Sequence, residues 1–196
     1  MCVYKPTRGE RPLDDFPIGT LARRELAAYL LSEATGWHIV PPTVLRDGPF
    51  GAGMVQAWMD ADPDADVFSL VAGADLRLRP MCVFDVVANN ADRKGGHLLA
   101  LPSGELIGVD HGICFAVEPK LRTVLWAWRG QALNEDELEV VGRVCSSLEG
   151  GLGAALGELL TRAEVRATSQ RAAALLENGL FPQPDPYRPA VPWPPF

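Results

Sequence analysis

The segment HLLALPSGELIGVDHG, residues 97–112, limits the fold more than any other part of the chain. Two strand-like pieces flank Ser103-Gly104, a dipeptide suited to a tight turn, so the segment reads as a β-hairpin. A two-residue turn centred there pairs Pro102 with Glu105 and Leu101 with Leu106. Continued outward, it sets His97 opposite Asp110 at the open end. Asp92 lies five residues before His97, within NNADRKGG at 89–96. An acid from the loop and two polar groups from the hairpin mouth are therefore expected to converge.

Composition narrows what such a convergence can serve. The chain has 196 residues, 47% of them hydrophobic, enough for a sizeable core. Its 18 Lys and Arg stand against 25 Asp and Glu, a formal charge of -7, and no basic run is present to follow a nucleic-acid backbone. Nucleic acid is excluded as the expected partner. No apolar stretch approaches the roughly 20 residues that span a bilayer, and MCVYKPTRGERP lacks the pattern of a signal peptide, so a cytoplasmic protein is expected. Cys2, Cys82, Cys114 and Cys145 are scattered without a C-x-x-C pair, which argues for reduced, mostly buried thiols and against a structural zinc.

Periodicity divides the chain into three regions. In 1–66, CVYKP reads as a strand. A helix is expected from Thr20 to Thr35, capped by Thr20 and stopped by Gly36, with Ala22, Leu26, Tyr29 and Leu30 forming its stripe. Two strands joined by RDGPFGAG follow, and DADPDAD closes the region. In 67–180, a helix over 76–88 leads into the loop and hairpin, and 135–178 is helical in two or three pieces broken near EGGLG. Trp126 and Trp128 sit at strand spacing and are expected in the core. Residues 181–196 form a proline-rich, extended surface tail whose PAVP is a short P-x-x-P pattern, a weak ligand for an adaptor module.

The charged set has the parts that phosphoryl transfer requires. Asp92 is placed to orient an acceptor hydroxyl as base, Lys94 to contact the transferred phosphate, and Asp110 to bind a metal just before Gly112. Lys5 on the first strand and Glu25 one helix away can form an ion pair that holds the ammonium against nucleotide phosphates. Asn89 and Asn90 are suited to fixing the loop through backbone hydrogen bonds.

VYKP, RRELAAYLL, NNADRKGGH and GVDHG occur in the order and spacing of phosphatidylinositol 3- and 4-kinase-like enzymes and their HipA-type relatives. The chain most resembles an actinobacterial family distantly similar to those kinases, over about residues 2–115. The resemblance implies a two-lobed α+β kinase-like fold, with a truncated N-terminal lobe and a mostly helical C-terminal lobe. It implies ATP as phosphate donor and a hydroxyl of a lipid, protein or small molecule as acceptor. Lys5 matches the nucleotide-binding lysine, Glu25 its helix partner, Asp92 the catalytic aspartate and Asp110 the metal-binding aspartate. Ala57, Trp58 and Met59 match the hinge that holds adenine. His97 stands where those kinases carry a metal-binding asparagine, so Mn2+ in place of Mg2+, a water-mediated contact, or a pseudokinase that binds without turnover all follow. Adenylyl transfer is a further alternative. The strands and phosphate-covering loop that precede the lysine in those kinases do not precede Lys5, which implies an upstream start or one-sided nucleotide binding.

Overall fold

In the computed structural model, which describes residues 1–196, three strands form an antiparallel sheet in the order β1-β3-β2. These are β1 (Cys2–Pro6), β2 (Thr43–Gly48) and β3 (Gly51–Ala57), with Lys5 paired to Met54. Helix α1 (Leu21–Thr35) runs between β1 and β2. It ends, as expected, at a left-handed Gly36, but it does not start on a Thr20 cap. The Thr20 hydroxyl donates to Pro17 O, and the Glu10 carboxylate accepts the N–H groups of Leu21 and Ala22. A side chain eleven residues upstream thus satisfies the orphan donors that Thr20 was expected to meet. Of the expected stripe only Ala22 is buried: Arg24, Glu25, Ala27, Ala28, Leu31 and Ser32 share the buried face with it, while Leu26, Tyr29 and Leu30 are half-exposed. Ion partners on two sides draw Arg24 and Glu25 inward.

A short helix missed in the sequence, α2 (Val67–Ala72), starts on Asp66, whose carboxylate accepts the Ser69 N–H. The helix expected over 76–88 is a 3-10 turn at Leu76–Leu78 followed by α3 (Arg79–Ala88) with Pro80 in its first turn. The hairpin β4 (Leu98–Ala100) and β5 (Leu106–Gly108) forms as expected, but its register is shifted by one residue. The pairs are Leu98 with Gly108, Leu99 with Ile107 and Ala100 with Leu106, so Val109, not Asp110, faces His97. Pro102 explains the shift. Its fixed φ suits the second position of a turn closed by Gly104 N–H donating to Leu101 O at 2.8 Å, and Gly104 at φ +89° completes a three-residue loop.

Helices α4 (Glu135–Leu148), α5 (Gly151–Gly157) and α6 (Arg162–Asn178) form the second half. Capping boxes of Asn134 with Glu137 and Thr161 with Glu164 start α4 and α6. One core joins α1 to α3, α4, α5 and α6 through residues such as Leu31, Phe84, Val141, Leu156 and Leu175. The architecture is mixed α+β, with two small sheets and six helices, none long and apolar enough to cross a membrane. Trp126–Trp128 is a 3-10 turn, not a strand; Trp128 is buried, and the half-buried Trp126 donates its indole N–H to Ala190 O in the tail. The tail carries no helix or strand, yet it is held to the body. Phe181 is buried, Thr123 N–H also donates to Ala190 O, and Gly95 N–H donates to Pro195 O at 2.8 Å.

Candidate active site

Helix α3 stops at Asn89, which adopts φ +52° and turns the chain into the loop 89–96. The Asn89 amide donates to Ala116 O and Glu118 O and accepts the Lys120 N–H. The Asn90 amide donates to Asp85, and its oxygen accepts the Asp92 N–H at 3.0 Å. Both asparagines therefore hold backbone in place, which leaves the neighbouring acid to face the cleft.

Beneath the loop lies a group that sequence reasoning passed over. Arg93 is fully buried and forms a forked pair with the equally buried Asp85, at 2.9 to 3.2 Å. Its guanidinium also donates to His111 Nε2 at 2.6 Å, and the His111 backbone N–H donates to Glu25 at 3.0 Å. A chain of contacts thus links the loop, the turn after β5 and α1. Burial first, and the Arg93 charge second, drive the His111 pKa well below the usual imidazole range, so this ring is neutral. An arginine in a polar turn normally points to water, and only the acid at Asp85, one helical turn before the end of α3, could have signalled otherwise.

Lys5 is the centre of the charged set. Its ammonium lies 3.0 Å from Glu25 Oε1 and 2.9 Å from Asp110 Oδ1, contacts that span 20 and 105 residues of sequence. Burial opposes the ammonium charge, but the two carboxylates outweigh it and raise the Lys5 pKa. Burial also works against the Asp110 carboxylate, and Lys5 beside it prevails, holding Asp110 below its ordinary range. Asp110 reaches this place despite the shifted hairpin because its backbone is left-handed, at φ +62°. That turn brings Asp110 Oδ2 to 3.7 Å from His97 Nε2. His97 Nδ1 lies 2.8 Å from Asp92 O, which fixes the proton on Nδ1 and leaves the Nε2 lone pair directed at Asp110. Burial, the largest influence, lowers the His97 pKa and keeps the ring neutral. Lys94 lies 3.2 Å from the Asp92 carboxylate.

Lys5, Glu25, Asp92 and Asp110 line one cleft of about 620 Å3, with Tyr4 and Met54 on the sheet side and Gly112 and Ile113 on the other. Ala57, Trp58 and Met59 lie outside its lining. The N–H groups of Ala57 and Trp58 donate to Pro42 O and Met1 O, while the Met59 N–H has no partner. No three carboxylate, imidazole or thiolate groups cluster to form a metal cage. The donors available to a cation are the Asp110 carboxylate and His97 Nε2, a mixed set that suits Mn2+ better than the all-oxygen preference of Mg2+.

No protein-family model matches the chain. It is 44% identical over 230 aligned positions to Protein Rv2133c of Mycobacterium tuberculosis, an alignment that covers all of this chain and 82% of that protein. It is also similar to phosphatidylinositol 4-kinase gamma 2 of Arabidopsis thaliana, 27% identical over 206 positions, covering 87% of this chain and 37% of the kinase. Phosphatidylinositol 4-kinase gamma 1 of the same plant matches at 25% over 158 positions, covering 65% of this chain and 28% of the kinase. The chain spans about a third of either plant enzyme.

Proposed function

Given that the chain belongs to the family of Protein Rv2133c, we propose that it is a kinase-like phosphotransferase that moves the γ-phosphoryl group of ATP to a hydroxyl. The two-lobed kinase arrangement is part of this reading: the β1-β3-β2 sheet with α1 forms the smaller lobe, and the helical remainder forms the larger. The observation that carries it is the Lys5 ammonium bonded to both Glu25 and Asp110 in the cleft that Asp92 also lines. A cation held by two acids is fixed in position, which is what neutralising phosphates without reorganisation requires.

In the transfer, the acceptor oxygen attacks the γ-phosphorus and its proton passes to the Asp92 carboxylate. The bond from phosphorus to the bridging oxygen breaks, and ADP leaves. Lys94, beside Asp92, balances charge on the transferred group, and Lys5 steadies the remaining phosphates. Of the three hinge residues only the Met59 N–H is a free donor, and it stands outside the lining of the Lys5 cleft. Asp110 and His97 would hold a divalent cation, which supplies further neutralisation of the phosphate oxygens.

ATP turnover, measured with Mg2+ and with Mn2+, tests this. Asp92→Asn is expected to lower turnover by about 100-fold or more while nucleotide still binds. Absence of both turnover and nucleotide binding overturns the reading. One observation favours a second reading, a binding module of the pseudokinase type: an imidazole, His97, stands 3.7 Å from Asp110 where the resemblance implies a metal-binding asparagine. Nucleotide binding without turnover, unchanged by Asp92→Asn, selects that alternative.

A further inference from the structure

A second cleft, of about 650 Å3, opens between the C-terminal half of α6, residues 119–122 and the tail from Leu180 to Ala190. Its walls are mainly apolar, from Leu121, Trp126, Leu175 and Phe181, in the size range of small-molecule sites. Its charge is at odds with the molecule. In a chain of net charge -7, the lining holds Lys120, Arg122, Arg171 and Arg188 against a single carboxylate, Asp185. Two of these cations have neighbouring acids: Lys120 is paired with Asp15 at 2.8 Å, and Arg188 lies 3.7 Å from Asp185. The other two form no ion pair. Arg171 donates to Val87 O, Ala116 O and Thr168 Oγ1, all neutral acceptors, which leaves part of its guanidinium fork and all of its charge uncompensated. Arg122 makes no side-chain hydrogen bond or ion pair; its charge reaches Asp15, which is already paired with Lys120, and its backbone is clasped between Asn90 and Arg93.

Arg171 is half-buried, and that burial lowers its pKa to about 10. A partly desolvated guanidinium without an acid is costly to keep, and an anionic group bound against it would recover that cost. We propose that this cleft binds an amphipathic anion, with an apolar body against Leu121, Trp126 and Phe181 and a carboxylate or phosphate head between Arg122 and Arg171. The site is separate from the Lys5 cleft, so it stands or falls independently of phosphoryl transfer.

Isothermal titration of the full chain with dodecanoate, dodecyl phosphate and dodecanol, each below its aggregation concentration, tests the proposal. The two anions distinguish a carboxylate from a phosphate head. At least one is expected to bind about 10-fold or more tighter than the alcohol, the contribution of a charged hydrogen bond. Arg122→Gln, at a side chain with no hydrogen-bond or ion-pair partner and adding no negative charge beside Asp15, is expected to weaken that anion about 10-fold or more with little change in melting temperature. Ala174→Trp, which fills the cleft from the exposed face of α6, is expected to abolish binding. Arg171 is left intact because it also holds the Val87 and Ala116 carbonyls. No heat with either anion up to roughly 1 mM, equal binding of the alcohol, or full binding by both variants overturns the proposal. So does a concentration-dependent dimer dissociated by Ala174→Trp, which would assign the cleft to a second copy of the chain.

Discussion

Arg93 of the loop and Asp85 of α3 join the two elements through a buried ion pair. Both are fully buried, and Asp85 receives further hydrogen bonds from Asn90 and Thr123. Arg93→Met is expected to destabilise the chain by about 3 kcal/mol or more in urea unfolding, because it strands a buried carboxylate. Arg24 and Glu164 form a comparable pair between α1 and α6. Burial works against the Glu164 charge, but the Thr161 N–H and Arg24 prevail and lower its pKa from the ordinary 4.5. A carboxyl with a depressed pKa in the folded state adds stability above its unfolded value and loses it as pH falls through the folded one. The melting temperature of Glu164→Gln is therefore expected to lie well below that of the parent at pH 7, and the gap should close as pH falls below about 4.5. Such pairs explain what stayed hidden in the sequence. Asp92, His97 and Asp110 stood out by their spacing about a hairpin, although its register lies one residue from the one that spacing implied, and Lys5 and Glu25 by a strand and a helix placed to pair them; Arg24 and Arg93 carried no such signal, since their partners come from 140 and 8 residues away.

At the scale of elements, the hairpin illustrates how local chemistry decides geometry. Its existence was legible from two apolar pieces around a glycine, and its register was not, because Pro102 recruits a third residue into the loop. Gly104 at φ +89° then becomes essential. Gly104→Ala is expected to cost about 1 to 2 kcal/mol, read as a lower urea midpoint with an unchanged m-value. A one-residue slip normally turns every side chain to the opposite face, so Asp110 meets Lys5 only because its own left-handed backbone restores the direction. Helix α1 teaches the same lesson at its start. The sequence marks an N-cap at Thr20 by proximity, while the acceptor that caps the helix, Glu10, comes from the loop before it.

Across the whole molecule, one core unites regions that periodicity separated at residue 66, since Ala27, Ala28 and Leu31 of α1 pack with residues of α3, α4 and α5. That the tail forms neither helix nor strand was legible, but its turns and its anchoring were not, because proline-rich segments carry few signals of where they dock. Its P-x-x-P motif is engaged by the chain itself: Ala190 O accepts two hydrogen bonds, and Pro192 is buried. Farther along, the Phe196 ring lies against Gly95 and 5.3 Å from the Phe68 ring. Deleting residues 189–196 removes the partners of the Thr123 and Gly95 N–H groups. Faster hydrogen exchange at those two amides, with the centre of α3 unchanged, is the expected outcome; unchanged exchange would show that the contacts are not maintained in solution.

The clasp between Pro195 and Gly95 also orders events in time. During synthesis, the loop bearing Asp92 leaves the ribosome roughly 5 to 20 s before its clasp does, at ordinary elongation rates of about 5–20 residues per second. A nascent or proteolytically nicked chain lacking the last few residues therefore carries every charged side chain of the Lys5 cleft, with the Gly95 end of its loop still without its backbone partner.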